Sequence, residues 1–202
     1  MERGQYGNKR EITRDRILSA AVKLFAERGL SLTSAKEIAS LAGVSVGLMY
    51  HYYKSKEEVF GELVKISLTE AIEISTVLNR DDCPKTILEE LAGCIISELK
   101  DGYEFSQWTA MFSHPLPQKH GSEWATVFID YYDQFITQMT GLIKKGQKAG
   151  VFKDGDPVMM AQYFVGAFDG ICCLQLSLKE KFIPPTQEVL TAAIIKEGII
   201  AC

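Results

Sequence analysis

The stretch SAKEIASLAGVSVGLMYHYYKSKEE, residues 34–58, holds three helix starts and one sharp turn. Ser34 precedes Glu37 by three positions. At that spacing a serine hydroxyl accepts from a backbone N–H and the glutamate reaches back to the serine's own N–H. Ile38, Ala39, Leu41 and Ala42 follow, and Gly43 interrupts them. A tight reversal needs φ > 0, which is cheap only for glycine. Ser45 then caps a helix of about two turns, ending near His51, and Ser55 with Glu58 repeats the capping pattern. Two short helices around a glycine turn outline a helix-turn-helix, with Ile38, Ala39, Leu41 and Val44 as its packed face. In that geometry the second helix enters the major groove of DNA while the first crosses the backbone.

Outward from this stretch the apolar period stays helical. Ile17, Leu18, Ala21, Leu24 and Phe25 predict a first helix stopped by Gly29. The fourth helix runs through Val59, Phe60, Leu63 and Ile66 to about Asn79. Pro84 opens a fifth, closed by Gly102, and Phe105, Trp108 and Phe112 mark a short sixth. Trp124 to Leu142 carry a long seventh, and Asp156-Pro157 starts an apolar eighth reaching about Ser177. A ninth is expected from about Thr186 to the chain end. No strand alternation competes, so the fold class is all-α with about nine helices.

With 202 residues, 47% of them apolar and 24% charged, the composition is that of an ordinary soluble protein. No run reaches 18 consecutive apolar residues, and the polar N-terminus lacks a signal-peptide core, so a cytoplasmic protein without a membrane span is expected. Cys83, Cys94, Cys172, Cys173 and Cys202 show no zinc-ligand spacing and read as reduced thiols. Residues 1–60 carry ten Lys/Arg against seven Asp/Glu, whereas 61–202 carry twelve against nineteen. A basic end on an acidic body suggests that this end meets a polyanion.

The residues ILSAAVKLFAERGLSLTSAKEIASLAGVSVGLMYHYYKSKEEVF, 17–60, resemble the tetracycline-repressor (TetR) family of transcriptional regulators. The shared pattern is A-x-x-L-F-x-x-x-G, then E-I-A-x-x-A-G-V-S-x-G-x-x-Y, then an aromatic, a basic residue and S-K-E, over about residues 12–62. The resemblance implies a helix-turn-helix domain over 1–55, with the motif itself at about 34–52. It also implies a connecting helix over 56–79 and an effector-binding and dimerisation domain over 80–202. A ligand-responsive repressor follows by the same resemblance, acting as a homodimer on a near-palindromic double-stranded DNA operator.

Carried onto this chain, the resemblance makes Tyr53 a buried aromatic and Tyr50 a phosphate-facing tyrosine. His51 and Tyr52 lie on the DNA side, with Val46, Gly47 and Leu48 on the same short helix. Lys54 and Lys56 neutralise backbone phosphates, Lys56 at the positive end of the fourth helix. Ser34 and Ser45 cap helices whose N–H groups do likewise. The chain departs from the family's habit at Val46, Leu48 and Tyr52, where basic, hydroxyl and histidine side chains are common. Apolar contact with thymine methyls and indirect readout of DNA shape are therefore expected.

Further along, Trp108, Phe112, Phe128, Tyr131 and Phe168 are the candidate lining of an effector pocket, with Asp169 as its one charge. Such a lining suits a small apolar or aromatic effector. The bland alternative is that these rings are core and that Asp169 hydrogen-bonds a neighbouring helix. Glu104 and Asp130 are weaker candidates of the same type. Gly166, Ala167 and Gly170 would let a partner helix approach closely, and Val189 and Ala193 would join them in an isologous dimer interface. His114 and His120 read as loop residues and not as metal ligands. No nucleophile–base pair, phosphate loop or metal spacing favours a small all-α enzyme, so neither catalysis nor a cofactor is expected. A protein-interaction bundle without DNA binding is the remaining alternative.

Overall fold

The computed structural model describes residues 3–113 and 123–198, the side chains of 3–8, 70–73, 113, 123–125 and 128 excepted. Nine α-helices lie among the described residues: α1 Arg3–Leu32, α2 Ala35–Ala42, α3 Val46–Tyr52, α4 Lys56–Leu78, α5 Pro84–Lys100, α6 Glu104–Ser113, α7 Glu123–Lys148, α8 Pro157–Leu178 and α9 Gln187–Thr191. The chain divides into two compact units, Met1–Ser67 with Gln107–Ala125, and Leu68–Ser106 with Thr126–Cys202.

In the first unit Ile17, Ala21, Phe25, Ile38, Phe60 and Leu63 are sealed from solvent. Phe60 stands edge-on to Phe25, with ring centroids 5.6 Å apart. Gly29 interrupts the helix as expected, its φ and ψ being non-helical. It takes φ 77° and kinks the chain, which returns to helix as far as Leu32. Leu41 is a correction. It is exposed, because the buried face of α2 is Ile38, Ala39 and Ala42. Met49 of α3 is buried.

The second unit has its own core, built from Ile87, Leu88 and Leu99 of α5, Met139 and Ile143 of α7, and Phe164 and Cys172 of α8. One polar side chain is buried in it by design of its hydrogen bonds. The Gln175 amide donates to the Leu99 carbonyl at 2.6 Å and the Gly102 carbonyl at 3.0 Å, and accepts from the Ser106 hydroxyl at 2.5 Å. An α8 side chain thus closes the frayed end of α5, whose last carbonyls have no partner within the helix.

The ninth helix is much shorter than expected. After Thr191 the chain turns, and the Lys153 N–H donates to the Ile194 carbonyl at 2.7 Å while the Lys196 N–H donates to that of Val151 at 3.0 Å. Phe152 and Ile195 form an isolated antiparallel bridge. Phe152 is fully buried, and its ring fits against α7 because residue 146 is glycine: a Cβ there would sit 2.1 Å from it. Cys94, Cys172 and Cys173 are free. Cys83 is disulfide-bonded, against the expectation of reduced thiols; Cys202 lies outside the described residues.

Candidate nucleic-acid interface

The turn between α2 and α3 is fixed from both sides. Gly43 takes φ 64°, and the Val44 N–H donates to the Ala39 carbonyl at 3.0 Å. The Arg16 guanidinium of α1 donates to the Gly43 carbonyl at 3.1 Å. A Cβ at position 43 would lie 2.5 Å from that guanidinium. Glycine is favoured here by its positive φ, and a side chain would also displace the Arg16 guanidinium.

From this turn α3 emerges with little of itself inside the protein. The Ser45 hydroxyl accepts from the Leu48 N–H at 3.1 Å, capping the helix. Met49 is buried, while Val46 (37%), Leu48 (39%) and Tyr50 (52%) are exposed, as are Gly47 and His51. Tyr52 is half-buried. Its ring meets His51 edge-on at 5.9 Å and carries the Arg10 guanidinium 6.0 Å from its centroid. Tyr53, just past the helix, is buried near the ion pair of Arg14 with Glu62. Burial first, and then the Glu62 carboxylate, hold its phenol well above the ordinary tyrosine value.

Lys56, expected to face phosphate, and Ser34, expected to cap a helix whose N–H groups do so, both have their side chains engaged inside the protein. The Lys56 ammonium donates to the carbonyls of Leu30 at 2.7 Å, Ser31 at 3.3 Å and Thr33 at 2.7 Å. An ammonium has three protons, and all three are accounted for at the end of α1. The Ser34 hydroxyl donates to the Glu37 carboxylate at 2.6 Å and accepts from the Glu37 N–H at 3.3 Å. That carboxylate also pairs with Arg28 at 3.0 Å, and the Ser34 hydroxyl holds it below the usual carboxylate range. Lys54 remains exposed, its backbone N–H donating to the Glu58 carboxylate at 2.5 Å.

The structure does not gather the six candidate effector residues into one unit. Trp108 and Phe112 belong to the first, in a run of rings from Phe25 through Phe60, with Phe60 and Phe112 6.3 Å apart and Phe112 and Trp108 6.4 Å apart. Tyr131, Phe168 and Asp169 belong to the second. Phe168 packs on Phe105 at 5.6 Å. The Tyr132 hydroxyl donates to one Asp169 oxygen at 3.5 Å, and the other oxygen is buried without a hydrogen bond. Burial raises the Asp169 pKa above the ordinary value, the tyrosine opposing it. The side chain of Phe128 and the residues His114 and His120 lie outside the described residues.

Of the candidate dimer residues, Gly166 and Gly170 are exposed on α8 and Ala167 is half-buried. They share the helix with exposed Met159, Tyr163 and Leu174. Val189 is exposed on α9, and Ala193 is exposed on the turn beyond it. The segment Pro157–Lys181 is also long and apolar enough, by length and composition, to cross a membrane, which a count of consecutive apolar residues does not register.

Sequence reasoning missed Arg10, Arg14, Arg16 and Glu62. Each acts on a residue far along the chain, and no local spacing announces such a contact.

Residues 17–63 match the profile of a family described as bacterial regulatory proteins, tetR family. The chain is 26% identical over 159 residues to the uncharacterized HTH-type transcriptional regulator YfiR of Bacillus subtilis, covering 77% of this chain and 76% of that one. It is 42% identical over 52 residues to the HTH-type transcriptional repressor KstR2 of Mycolicibacterium smegmatis, a match spanning 26% of this chain and 25% of that protein. A solved structure, the SmeT–triclosan complex, shares the fold with a TM-score of 0.68 at 20% identity, over 94% of this chain and 95% of that chain.

Proposed function

We propose that this chain, which matches the tetR family of bacterial regulatory proteins over residues 17–63 and is similar to transcriptional regulators, is a homodimeric repressor released from its operator by a small apolar or aromatic effector. The observation that carries the reading is α3 itself. It buries Met49 alone and turns Val46, Gly47, Leu48, Tyr50 and His51 outward from a fixed turn. A helix of seven residues is not stable by itself, so the domain holds it in place for a partner's sake. Its exposed side chains offer few base-edge hydrogen bonds. Apolar contact with thymine methyls from Val46 and Leu48, phosphate contact from Tyr50 and Lys54, and shape readout are its means of recognition. Residues 1–55 serve as the DNA-binding domain and 80–202 as the effector and dimer domain, with 56–79 between them.

Regulators of this family are dimers that bind operators and small molecules. Over the apolar window of α8 only 17% of residues are buried within the single chain. A second copy of α8 seated on Gly166 and Gly170, flanked by Val189 and Ala193, would cover that face. The effector site is placed in the second unit around Tyr131, Phe168 and Asp169, with the buried carboxylate oxygen available to a basic group on the molecule. The complex of SmeT with triclosan supports a small organic molecule as the class of effector. An effector acts only if it binds the DNA-competent and DNA-incompetent forms unequally, and α4 is the proposed transmitter.

The test is selection of duplexes from a randomised pool. Enriched sites should be near-palindromic, with two half-sites about one helical turn apart. A pool that stays unenriched after several rounds would overturn the reading. For the effector, Phe168→Ala should blunt release of the selected duplex by apolar aromatic compounds while leaving binding without them intact.

A further inference from the structure

Two arginines of α1 reach the two ends of the α3 segment. Arg16 touches the carbonyl of Gly43, just before α3 begins, and Arg10 lies over the ring of Tyr52, the last residue of α3. Six residues of helix rise about 9 Å, close to the length of the seven-residue α3. The two contacts therefore bracket α3, and Arg10 stands at its C-terminal end.

Arg10 differs from the other arginines of this helix whose side chains are described, Arg28 being paired with Glu37. Arg14 is paired with Glu62, and Arg16 is engaged by the turn. Arg10 is exposed and has no carboxylate partner among the described residues. Glu11 follows it but projects about 100° round the helix. The Arg10 guanidinium carbon lies 6.0 Å from the centre of the Tyr52 ring. No described residue takes a hydrogen bond from its N–H donors, and that fork matches a phosphate. A cation–π contact at this distance favours keeping the guanidinium beside the ring.

We propose that Arg10 is a phosphate-binding residue of the DNA interface, held by the Tyr52 ring beside the C-terminal end of α3. This rests on the DNA-binding reading above. It gives α1 a direct part in docking, and it supplies a cation at the interface where Lys56 is committed to the protein's own carbonyls.

The experiment measures affinity by fluorescence anisotropy, at 50 to 200 mM KCl, for a duplex the wild-type protein selects from a randomised pool. Losing one phosphate contact should make the slope of log affinity against log salt shallower by about one unit. The wild-type advantage over Arg10→Gln should then shrink about 3.5-fold across that range. Arg10→Lys keeps the cation and should keep the wild-type slope, with weaker binding at every salt concentration. An Arg10→Gln protein with the wild-type slope overturns the proposal. That includes the case where affinity falls by one constant factor, since Arg10 would then only shape Tyr52. If wild-type protein binds no duplex even at 50 mM salt, the DNA-binding reading itself fails, and the proposal with it.

Discussion

The Lys56 ammonium donates to the Leu30 carbonyl at 2.7 Å, and its remaining protons go to Ser31 and Thr33. It ties the first turn of α4 to the C-terminal end of α1, where unpaired carbonyls and the helix dipole both favour a cation.

Lys56→Ala should therefore act on stability. Hydrogen bonds to a charged group contribute about 1.5–3 kcal/mol, and about 2 kcal/mol is expected here in denaturant unfolding. The salt slope of DNA binding should stay at its wild-type value. A slope shallower by about one unit with stability unchanged would restore Lys56 to the phosphates.

Gln175→Leu should destabilise the second unit strongly. It strands the carbonyls of Leu99 and Gly102 and the hydroxyl of Ser106, which is fully buried. Each buried polar group left unpaired costs about 1–3 kcal/mol. Thermal unfolding with retained wild-type midpoint would contradict the network.

Asp169→Asn should stabilise the protein at neutral pH and less so in acid. Burial raises the Asp169 pKa in the folded chain, so the unfolded state prefers the ionised form more strongly. That penalty is absent below the ordinary aspartate value, grows as pH rises toward the raised folded value, and is full above it. Melting temperatures of both proteins across pH 3–8 check the sign. A gain that grows as pH falls would contradict it.

Gly170→Leu should abolish or weaken the dimer without harming the single chain. A Cβ at Gly170 meets nothing within 4 Å inside the protein. Sedimentation at micromolar concentration should show a dimer for wild type and a shift toward monomer for the variant. An unchanged dimer would place the interface elsewhere.

Local chemistry was legible in the sequence. The Ser34–Glu37 box, the Gly43 turn, the Ser45 cap and the Asp156 cap all form as their spacing predicts, because each partner is within a few residues. The end of the chain was not. Ile194 and Ile195 sit in an apolar run that suits a helix or an extended segment equally, and pairing with Val151–Lys153 decides between them. The internal contacts of Lys56 are hidden in the sequence for the same reason, since its partners lie 23 to 26 residues upstream. Ring content alone marks the aromatic effector candidates, and it does not reveal that Trp108 and Phe168 fall in different units.

The central claim, that α3 is held outward to dock on DNA, is tested most directly by binding of the wild-type protein to its selected duplex as salt is raised from 50 to 200 mM. Affinity should fall steeply, log affinity declining linearly with log salt by about 0.9 per phosphate neutralised, and Tyr50→Ala should bind more weakly on every sequence. Affinity that does not change with salt, or that Tyr50→Ala leaves intact, would contradict the account.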